Sequence, residues 1–322
     1  MNIIRYMIVF IILTTLGMLY DRYSKKYFPD EELDKYDLVR KYLLNEDVDL
    51  KKPIIWIHTK HKLNSRNWLS FYSRNSKDLN MPYKGLCIES IVKHCGNSFN
   101  ICLLDDSSFS KLLPGWSISL EELSDPVKDN IRNLALLNVL YTYGGVIMPN
   151  STIVLKDIKP LYDESMSRHH FSVGELVNRN SSSVQKRFFP NKNFIFAKKE
   201  CPSVKKLIQV IEINISKDYT SNFKFEGELN RHVNQLLSDN MGTLICGKKL
   251  GTKDKENNVV LIDHLMMDSN IDFCDCNLYC ICIPDDELCK RNKYQWFIRS
   301  NKQQILQANT QISKYLLISL GK

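Results

Sequence analysis

The segment SDPVKDNIRNLALLNVLYTYGGVIMPNS, residues 124–151, carries the strongest structural signal in this chain. Ser or Asp ahead of Pro126 is typical of a helix start, because a side-chain oxygen caps free backbone N–H groups and proline suits the first turn. Apolar residues then recur at helical spacing as far as Leu140, and the glycine pair 144–145 ends the helix. The apolar residues 146–148 that follow predict a buried strand.

Two apolar segments upstream complete a strand–helix–strand pattern. Residues 54–58 (IIWIH) and 99–104 (FNICLL) indicate buried strands, and apolar residues between 87 and 95 recur at helical spacing before Gly96. Short links between such elements predict a βαβ unit with parallel strands and a right-handed crossover. The predicted fold class is therefore α/β, with a mixed, mostly parallel central sheet flanked by helices.

The remaining elements are predicted from shorter patterns of the same kind. Strand segments are rich in β-branched and aromatic residues, and helical segments repeat their apolar residues about every 3.6 positions. These patterns predict strands at 152–155, 193–197 and 259–265, and helices at 203–213, 228–237 and 298–317.

His58 and Asp105 directly follow two of the predicted parallel strands. Ligands of open α/β sheets bind at the carboxyl ends of the strands, so these side chains are candidates to border a bound nucleotide. Trp56 lies two residues before His58, and under this hypothesis its ring stacks on the base. The alternative, a core tryptophan and a hydrogen-bonded histidine, stays open from the sequence alone.

The charge balance favours anionic partners without indicating nucleic acid. The 322 residues include 44 basic and 36 acidic side chains, a formal net charge of +8. A moderate positive excess suits nucleotide phosphates or acidic lipid surfaces. No run of five basic residues occurs, and no segment interleaves basic and aromatic residues, so we predict no nucleic-acid partner.

No sequence motif indicates a dedicated metal site or a hydrolase nucleophile. Gly-x-Ser-x-Gly, His-Glu-x-x-His and Walker loops are all missing from the sequence. Four of the ten cysteines cluster within FCDCNLYCIC, residues 273–282, with Cys-x-Cys spacing. This spacing favours buried thiols or disulfides over a tetrahedral zinc site.

The N-terminus has the composition of a membrane signal. Residues 6–20 (YMIVFIILTTLGMLY) carry no charge, and basic residues lie on both sides. We predict a single-pass anchor at residues 1–22, a stem at 23–52 and the main domain at 53–322, at a membrane of the secretory pathway or its equivalent. A cleaved signal peptide is the alternative for residues 1–22.

The motif Asp129-x-x-Arg132 on a helix, followed by Tyr143-Gly144-Gly145, resembles one group of sugar-transferring enzymes. That group includes capsular polysaccharide synthesis proteins and the yeast-type initiating mannosyltransferases. The strand, helix and strand upstream match the group in order, and the later segments NFIFA (193–197) and KYQWF (293–297) are similar to its blocks. The resemblance implies a glycosyltransferase A-type fold that binds a nucleotide sugar.

The resemblance also implies roles for individual residues. Asp129 would bind the donor sugar hydroxyls, and Arg132 would support the site or the phosphates. An ordinary ion pair within the helix is the alternative for these two residues. Gly144 and Gly145 would let the backbone approach a ligand closely. Related enzymes hold Mn²⁺ or Mg²⁺ with carboxylates to stabilise the diphosphate that leaves.

The chain departs from this group where the metal-binding acids belong. An Asp-x-Asp motif is expected after the strand that follows Gly145, but Pro149, Asn150 and Ser151 stand there. Neutral oxygens of Asn150 and Ser151 could contact a nucleotide, yet they bind a divalent cation more weakly than carboxylates do. Mn²⁺ or Mg²⁺ is therefore a doubtful cofactor from the sequence.

Three interpretations of this departure stay open. Basic residues could stabilise the diphosphate without metal, another acid could supply the cation (Asp105, Asp106 or Asp157), or transfer activity could have been lost. The favoured function is transfer of a hexose from a nucleotide sugar to a glycan or protein acceptor. The alternative is a catalytically inactive, membrane-anchored protein that binds glycans or nucleotide sugars.

Overall fold

The computed structural model describes residues 39–44, 49, 51–60, 81–181, 183, 187–217, 221–273 and 277–322. The chain divides into two units, Met1–Tyr42 and Leu43–Lys322, and every element named below belongs to the second. The predicted anchor, residues 1–22, and most of the predicted stem lie outside the described residues. Among the described residues, no helix is both long and apolar enough to cross a bilayer.

Strands and helices alternate along the first half of the described chain. The strands are β1 Ile54–His58, β2 Asn100–Leu104, β3 Gly145–Ile147, β4 Thr152–Val154, β5 Phe171–Val177, β6 Phe188–Ala197, β7 Thr243–Ile245 and β8 Cys280–Cys282. The helices are α1 Pro82–Cys95, α2 Phe109–Leu112, α3 Val127–Tyr143, α4 Lys159–Arg168, α5 Pro202–Ser216, α6 Asn222–Ser238, α7 Ile262–Leu265, α8 Asp285–Lys290, α9 Gln295–Arg299, α10 Lys302–Gln307 and α11 Gln311–Leu320.

The central sheet has six strands in the order β2-β1-β3-β6-β5-β7. The pairs β1–β2, β1–β3 and β5–β7 are parallel, whereas β6 is antiparallel to both of its neighbours, β3 and β5. β3 and β5 therefore run in the same direction, and β6 alone is reversed within this sheet. The predicted α/β class with a mixed, mostly parallel sheet is confirmed.

The βαβ unit predicted upstream is present with close bounds. β1 covers Ile54–His58, and its residues pair in parallel with β2 from Ile54↔Asn100 to His58↔Leu104. The helix between them starts at Pro82, earlier than the apolar spacing from residue 87 indicated, because proline suits the first turn. Gly96 follows the helix as predicted but has right-handed helical backbone angles.

Two apolar clusters hold the fold, and α1 contributes to both. One cluster packs α1 residues such as Ile91 against the buried side chains of the central sheet, Ile55 and Phe196 among them. The other packs Tyr83 and Leu86, from the start of α1, against the C-terminal helices. One helix therefore joins the central sheet to the C-terminal helices.

Two predictions for the C-terminal region are wrong. Residues 259–265, predicted as a strand, form a loop and the short helix α7, because Ile262 and Leu265 are buried at helical spacing. Residues 298–317, predicted as mostly one helix, lie in three helices. Asn301 accepts a hydrogen bond from the Gln304 backbone, and Thr310 accepts one from Ser313, so two N-caps interrupt the apolar pattern.

Candidate functional site

The candidate site lies at the carboxyl edge of the central sheet. β1, β2 and β3 are parallel neighbours, so the residues that follow them meet at one edge. His58 ends β1, Asp105 and Asp106 follow β2, and Asn150 follows β3. The Asn150 side chain donates a hydrogen bond to the His58 carbonyl oxygen at 2.9 Å, which ties the end of β3 to the end of β1.

Asp106 joins β1 to α3 through a chain of polar contacts. Its Oδ1 atom lies 2.9 Å from His58 Nε2 and 2.7 Å from Arg132 Nε, and its Oδ2 accepts from Arg132 Nη2 at 2.8 Å. Arg132 Nη1 also donates to Asp129 Oδ1, one helical turn earlier. Bidentate contact with a guanidinium is a strong and directional form of ion pair, so these four side chains form one fixed network.

Burial and charge set the protonation of this network. Burial lowers the pKa of His58, although its hydrogen bond to Asp106 acts in the opposite direction. Burial would raise the pKa of Asp106, but hydrogen bonds from Arg132 and His58 outweigh it and hold this pKa well below its usual range. An ionised carboxylate only accepts hydrogen bonds, so neutral His58 donates its Nε2–H to Asp106.

Asp129 is the network's contact with solvent. Its side chain is 24% exposed, whereas the Arg132 side chain that holds it is 7% exposed. Lys60, just beyond β1, lies 3.1 Å from Asp129 Oδ1 and is 53% exposed. Exposed ion pairs of this kind contribute little to stability, so Lys60 can exchange Asp129 for another anion at small cost.

The two adjacent acids after β2 have different tasks. Asp105 accepts hydrogen bonds from the hydroxyls of Ser107 and Ser108 at 2.7 and 2.8 Å, and its backbone N–H donates to Ser108. It thus stabilises the turn, while Asp106 holds Arg132. The sequence pattern predicts Asp105 as a neighbour of the nucleotide and Asp106 only as a possible metal ligand. The signal that could have favoured Asp106 is weak, since both acids directly follow the same strand.

Trp56, Gly144 and Gly145 are placed by packing within the fold. The Trp56 indole is fully buried and donates from Nε1 to the Gly144 carbonyl oxygen at 2.8 Å. Gly145 has φ +105°, and a Cβ atom there would lie 2.1 Å from the Ile54 carbonyl oxygen. These contacts match the core alternative for Trp56, and they show that close backbone approach at Gly145 is to β1.

Asn150 and Ser151 do not fit a divalent cation. The Asn150 amide is bound to His58, and buried Ser151 donates from Oγ to the Ile283 carbonyl oxygen at 3.1 Å. Both side chains therefore serve the fold with neutral groups, and neither offers a carboxylate. Among the described residues, no group of three or more His, Cys, Asp or Glu side chains is arranged to hold a metal ion.

The other acid considered for a metal, Asp157, lies apart from this network. It accepts a hydrogen bond from Ser98 Oγ at 2.5 Å and one from the Lys159 backbone at 2.9 Å, before α4. The eight cysteines within the described ranges are free thiols. Burial raises the pKa of Cys95 to about 12, as expected for a core thiol rather than a reactive one.

Comparison with known proteins gives matches to solved structures. Solved structures similar to this chain include the PaToxG glycosyltransferase, at 13% sequence identity and a TM-score of 0.34. That similarity covers 69% of this chain and 80% of the other. No family model matches the chain, and no curated protein matches it either.

Proposed function

We propose that this chain is a glycosyltransferase of the A-type that transfers a hexose from a nucleotide sugar to a hydroxyl of a glycan or protein acceptor. The observation that carries the proposal is the partly exposed Asp129 carboxylate, held by buried Arg132 at the carboxyl edge of the sheet. The motif that contains both residues, with the Tyr143-Gly144-Gly145 segment after it, is the part of the chain that resembles sugar-transferring enzymes.

The residues of the site suit the sugar and the diphosphate of such a donor. In the reaction, the bond between the anomeric carbon and the diphosphate oxygen breaks, and its electron pair leaves with the diphosphate. The acceptor oxygen bonds to the anomeric carbon and loses its proton to solvent or a base. Asp129 can accept hydrogen bonds from sugar hydroxyls, and exposed Lys60 can place its charge against the diphosphate.

The proposal includes stabilisation of the diphosphate by basic residues rather than by Mn²⁺ or Mg²⁺. Where related enzymes have carboxylates, the side chains of Asn150 and Ser151 are neutral and bound to backbone carbonyl oxygens. Asp106 is paired with Arg132, and both of its carboxylate oxygens accept hydrogen bonds from Arg132 or His58. A cation at this edge would therefore have to displace existing contacts.

A second candidate function is binding of a nucleotide sugar or glycan without transfer. The neutral Asn150–Ser151 turn favours it, because catalysis needs the leaving group to be stabilised whereas binding does not. Both candidates use Asp129 in the same way, so turnover separates them.

The test is release of nucleoside diphosphate from UDP-glucose, UDP-N-acetylglucosamine and GDP-mannose by the full chain. Asp129→Ala should lower turnover by about 100-fold or more, because a hydrogen-bonding group in the site is lost. Asp163→Ala, at an exposed acid paired with Lys159 on α4, is the matched control and should have no effect. Full turnover by a folded Asp129→Ala protein would contradict the proposal, and no turnover by the wild type with donor binding intact would favour the second candidate.

We further propose that residues 1–22 tether the protein to a membrane of the secretory pathway or its equivalent. The uncharged run of residues 6–20 supports this proposal. Resistance of the protein to extraction from membranes by alkaline carbonate is the expected result, and release by carbonate would oppose it.

A further inference from the structure

A second buried cation lies beside the candidate site, on β6. Lys192 is buried, and its ammonium is 3.1 Å from Glu226 Oε1 on α6. It also donates to Asn133 Oδ1 on α3 at 3.0 Å and to Asn193 Oδ1 at 3.1 Å. One side chain thus links β6, α3 and α6.

The register of the sheet puts Lys192 at the same edge as the Asp129 network. Ile147, the last residue of β3, pairs with Ile195 of β6. β6 is antiparallel to β3, so the residues of β6 before Ile195, Lys192 among them, extend past the carboxyl end of β3. Lys192 therefore lies beyond the carboxyl end of β3.

Glu226 repeats the arrangement seen at Asp129. The Asp129 side chain is 24% exposed and paired with Arg132, which is 7% exposed. The Glu226 side chain is 22% exposed and paired with Lys192, which is 6% exposed. In both pairs the cation is buried and the carboxylate keeps a solvent-facing part.

Asn133 links Glu226 to α3, the helix that carries Asp129. It follows Asp129 by four residues, so both project from the same face of α3. Its Nδ2 donates to Glu226 Oε1 at 3.3 Å. Glu226 of α6 therefore contacts α3 at a residue one helical turn after Asp129.

Further amides on these faces have unused hydrogen-bonding capacity. Asn130 lies three residues before Asn133, and Asn230 lies four residues after Glu226. Both are buried, and within the described structure Asn130 Oδ1 and both amide atoms of Asn230 have no partner. Most buried polar groups in proteins have hydrogen-bond partners, so these buried amides are unusual.

We propose that Glu226 is a second sugar-binding carboxylate that, with Asp129, recognises the hydroxyl groups of one hexose ring. The inference rests on the proposed function and names a residue that sets donor specificity. Sugar hydroxyls donate to carboxylate oxygens in strong hydrogen bonds, and carboxylates from two neighbouring helices can engage hydroxyls on different carbons of a ring. Lys192 is a positioning residue that orients Glu226 and Asn133.

The test compares binding of intact nucleotide sugars with binding of the free nucleoside diphosphates. The probes are UDP-glucose, UDP-N-acetylglucosamine and GDP-mannose against UDP and GDP, measured by calorimetry on the full chain. Glu226→Gln keeps the shape and the acceptor for Lys192 but removes the charge. It should weaken binding of the preferred nucleotide sugar by about tenfold and leave binding of its nucleoside diphosphate within about twofold.

Glu89→Gln is the matched control, since Glu89 is an exposed carboxylate on α1 that is paired with Lys302 of α10. It should change neither affinity. Unchanged binding of the nucleotide sugar to Glu226→Gln overturns the assignment of Glu226 and leaves the proposed function standing. Equal weakening for sugar and diphosphate also overturns it, because a general disturbance of the site would act on both. Failure of the wild type to bind any probe overturns the proposed function and this assignment together.

Discussion

Two turns flank the end of β1, and they use their polar residues differently. The turn after β2 places ionised Asp106 against buried Arg132, which in turn holds a partly exposed carboxylate on α3. The turn after β3 has neutral Asn150 and Ser151, and both donate to backbone carbonyl oxygens. The charged turn thus supports the solvent-facing Asp129 carboxylate, while the neutral turn makes hydrogen bonds within the fold.

Under the proposed function, this difference would let the site act without the acids that the sequence resemblance implies. Charge at the edge comes from α3 and from the residues after β1 and β2, namely Asp129, Arg132, Lys60 and Asp106. The neutral turn is fixed by hydrogen bonds to backbone carbonyl oxygens, and its side chains offer no carboxylate to a metal. A donor would therefore meet a preorganised carboxylate for its sugar and an exposed lysine for its phosphates.

The two turns should differ most in how much each contributes to the unfolding free energy, and replacement of Arg132 tests the charged turn. Arg132→Met keeps much of the apolar stem but leaves Asp106, whose side chain is 14% exposed, with His58 as its remaining partner among the described residues. Loss of one partner from a buried ion pair costs about 3–5 kcal/mol of unfolding free energy. Urea denaturation measures this loss.

Ser151→Ala is the matched change in the neutral turn. It removes one hydrogen bond to the Ile283 carbonyl oxygen and should cost about 1 kcal/mol in the same measurement. Equal costs for Arg132→Met and Ser151→Ala would show that the charged turn is no more important to the fold than the neutral one.

A smaller effect should appear as a dependence of stability on pH. The pKa of folded His58 is lowered by burial, so the unfolded chain binds more protons as pH falls through about 6.5. The unfolding free energy should therefore decrease between pH 7 and pH 5, by at most about 1.4 kcal/mol per pH unit. Asp106 behaves differently, because its pKa is lowered in the folded protein. Its contribution to the unfolding free energy is present above about pH 4 and is lost only in stronger acid.

His58→Gln tests this account, because the amide can still donate to Asp106 but does not titrate. The unfolding free energy of the variant should change less between pH 7 and pH 5 than that of the wild type. A slope equal to that of the wild type would assign the pH dependence to other groups.

Local patterns were enough to predict the framework of the fold. β1 occupies the predicted residues Ile54–His58, and α3 ends at the predicted glycine pair. The helices of the C-terminal region were harder to predict, because Asn301 and Thr310 act as N-caps inside an apolar pattern. That pattern alone indicates a single helix. Capping depends on backbone geometry, which apolar spacing does not report.

The site could be predicted only in part. Asp129 and Arg132 are three residues apart on one helix, so their contact follows from sequence. The choice between Asp105 and Asp106 depends on the shape of a turn, and the sequence pattern treats both acids alike. The pair of Lys192 and Glu226 joins two elements that are distant along the chain, and no local motif links them.

The most direct test of the central claim is whether a nucleotide sugar binds without a divalent cation. Thermal unfolding of the full chain would be recorded with UDP-glucose, UDP-N-acetylglucosamine or GDP-mannose, each with Mn²⁺ and with EDTA. A ligand at about 100 times its Kd adds about 3 kcal/mol, a shift of about 5 °C. We predict that one nucleotide sugar raises the melting temperature equally in both conditions. A shift that requires Mn²⁺, or no shift with any donor, would contradict the claim.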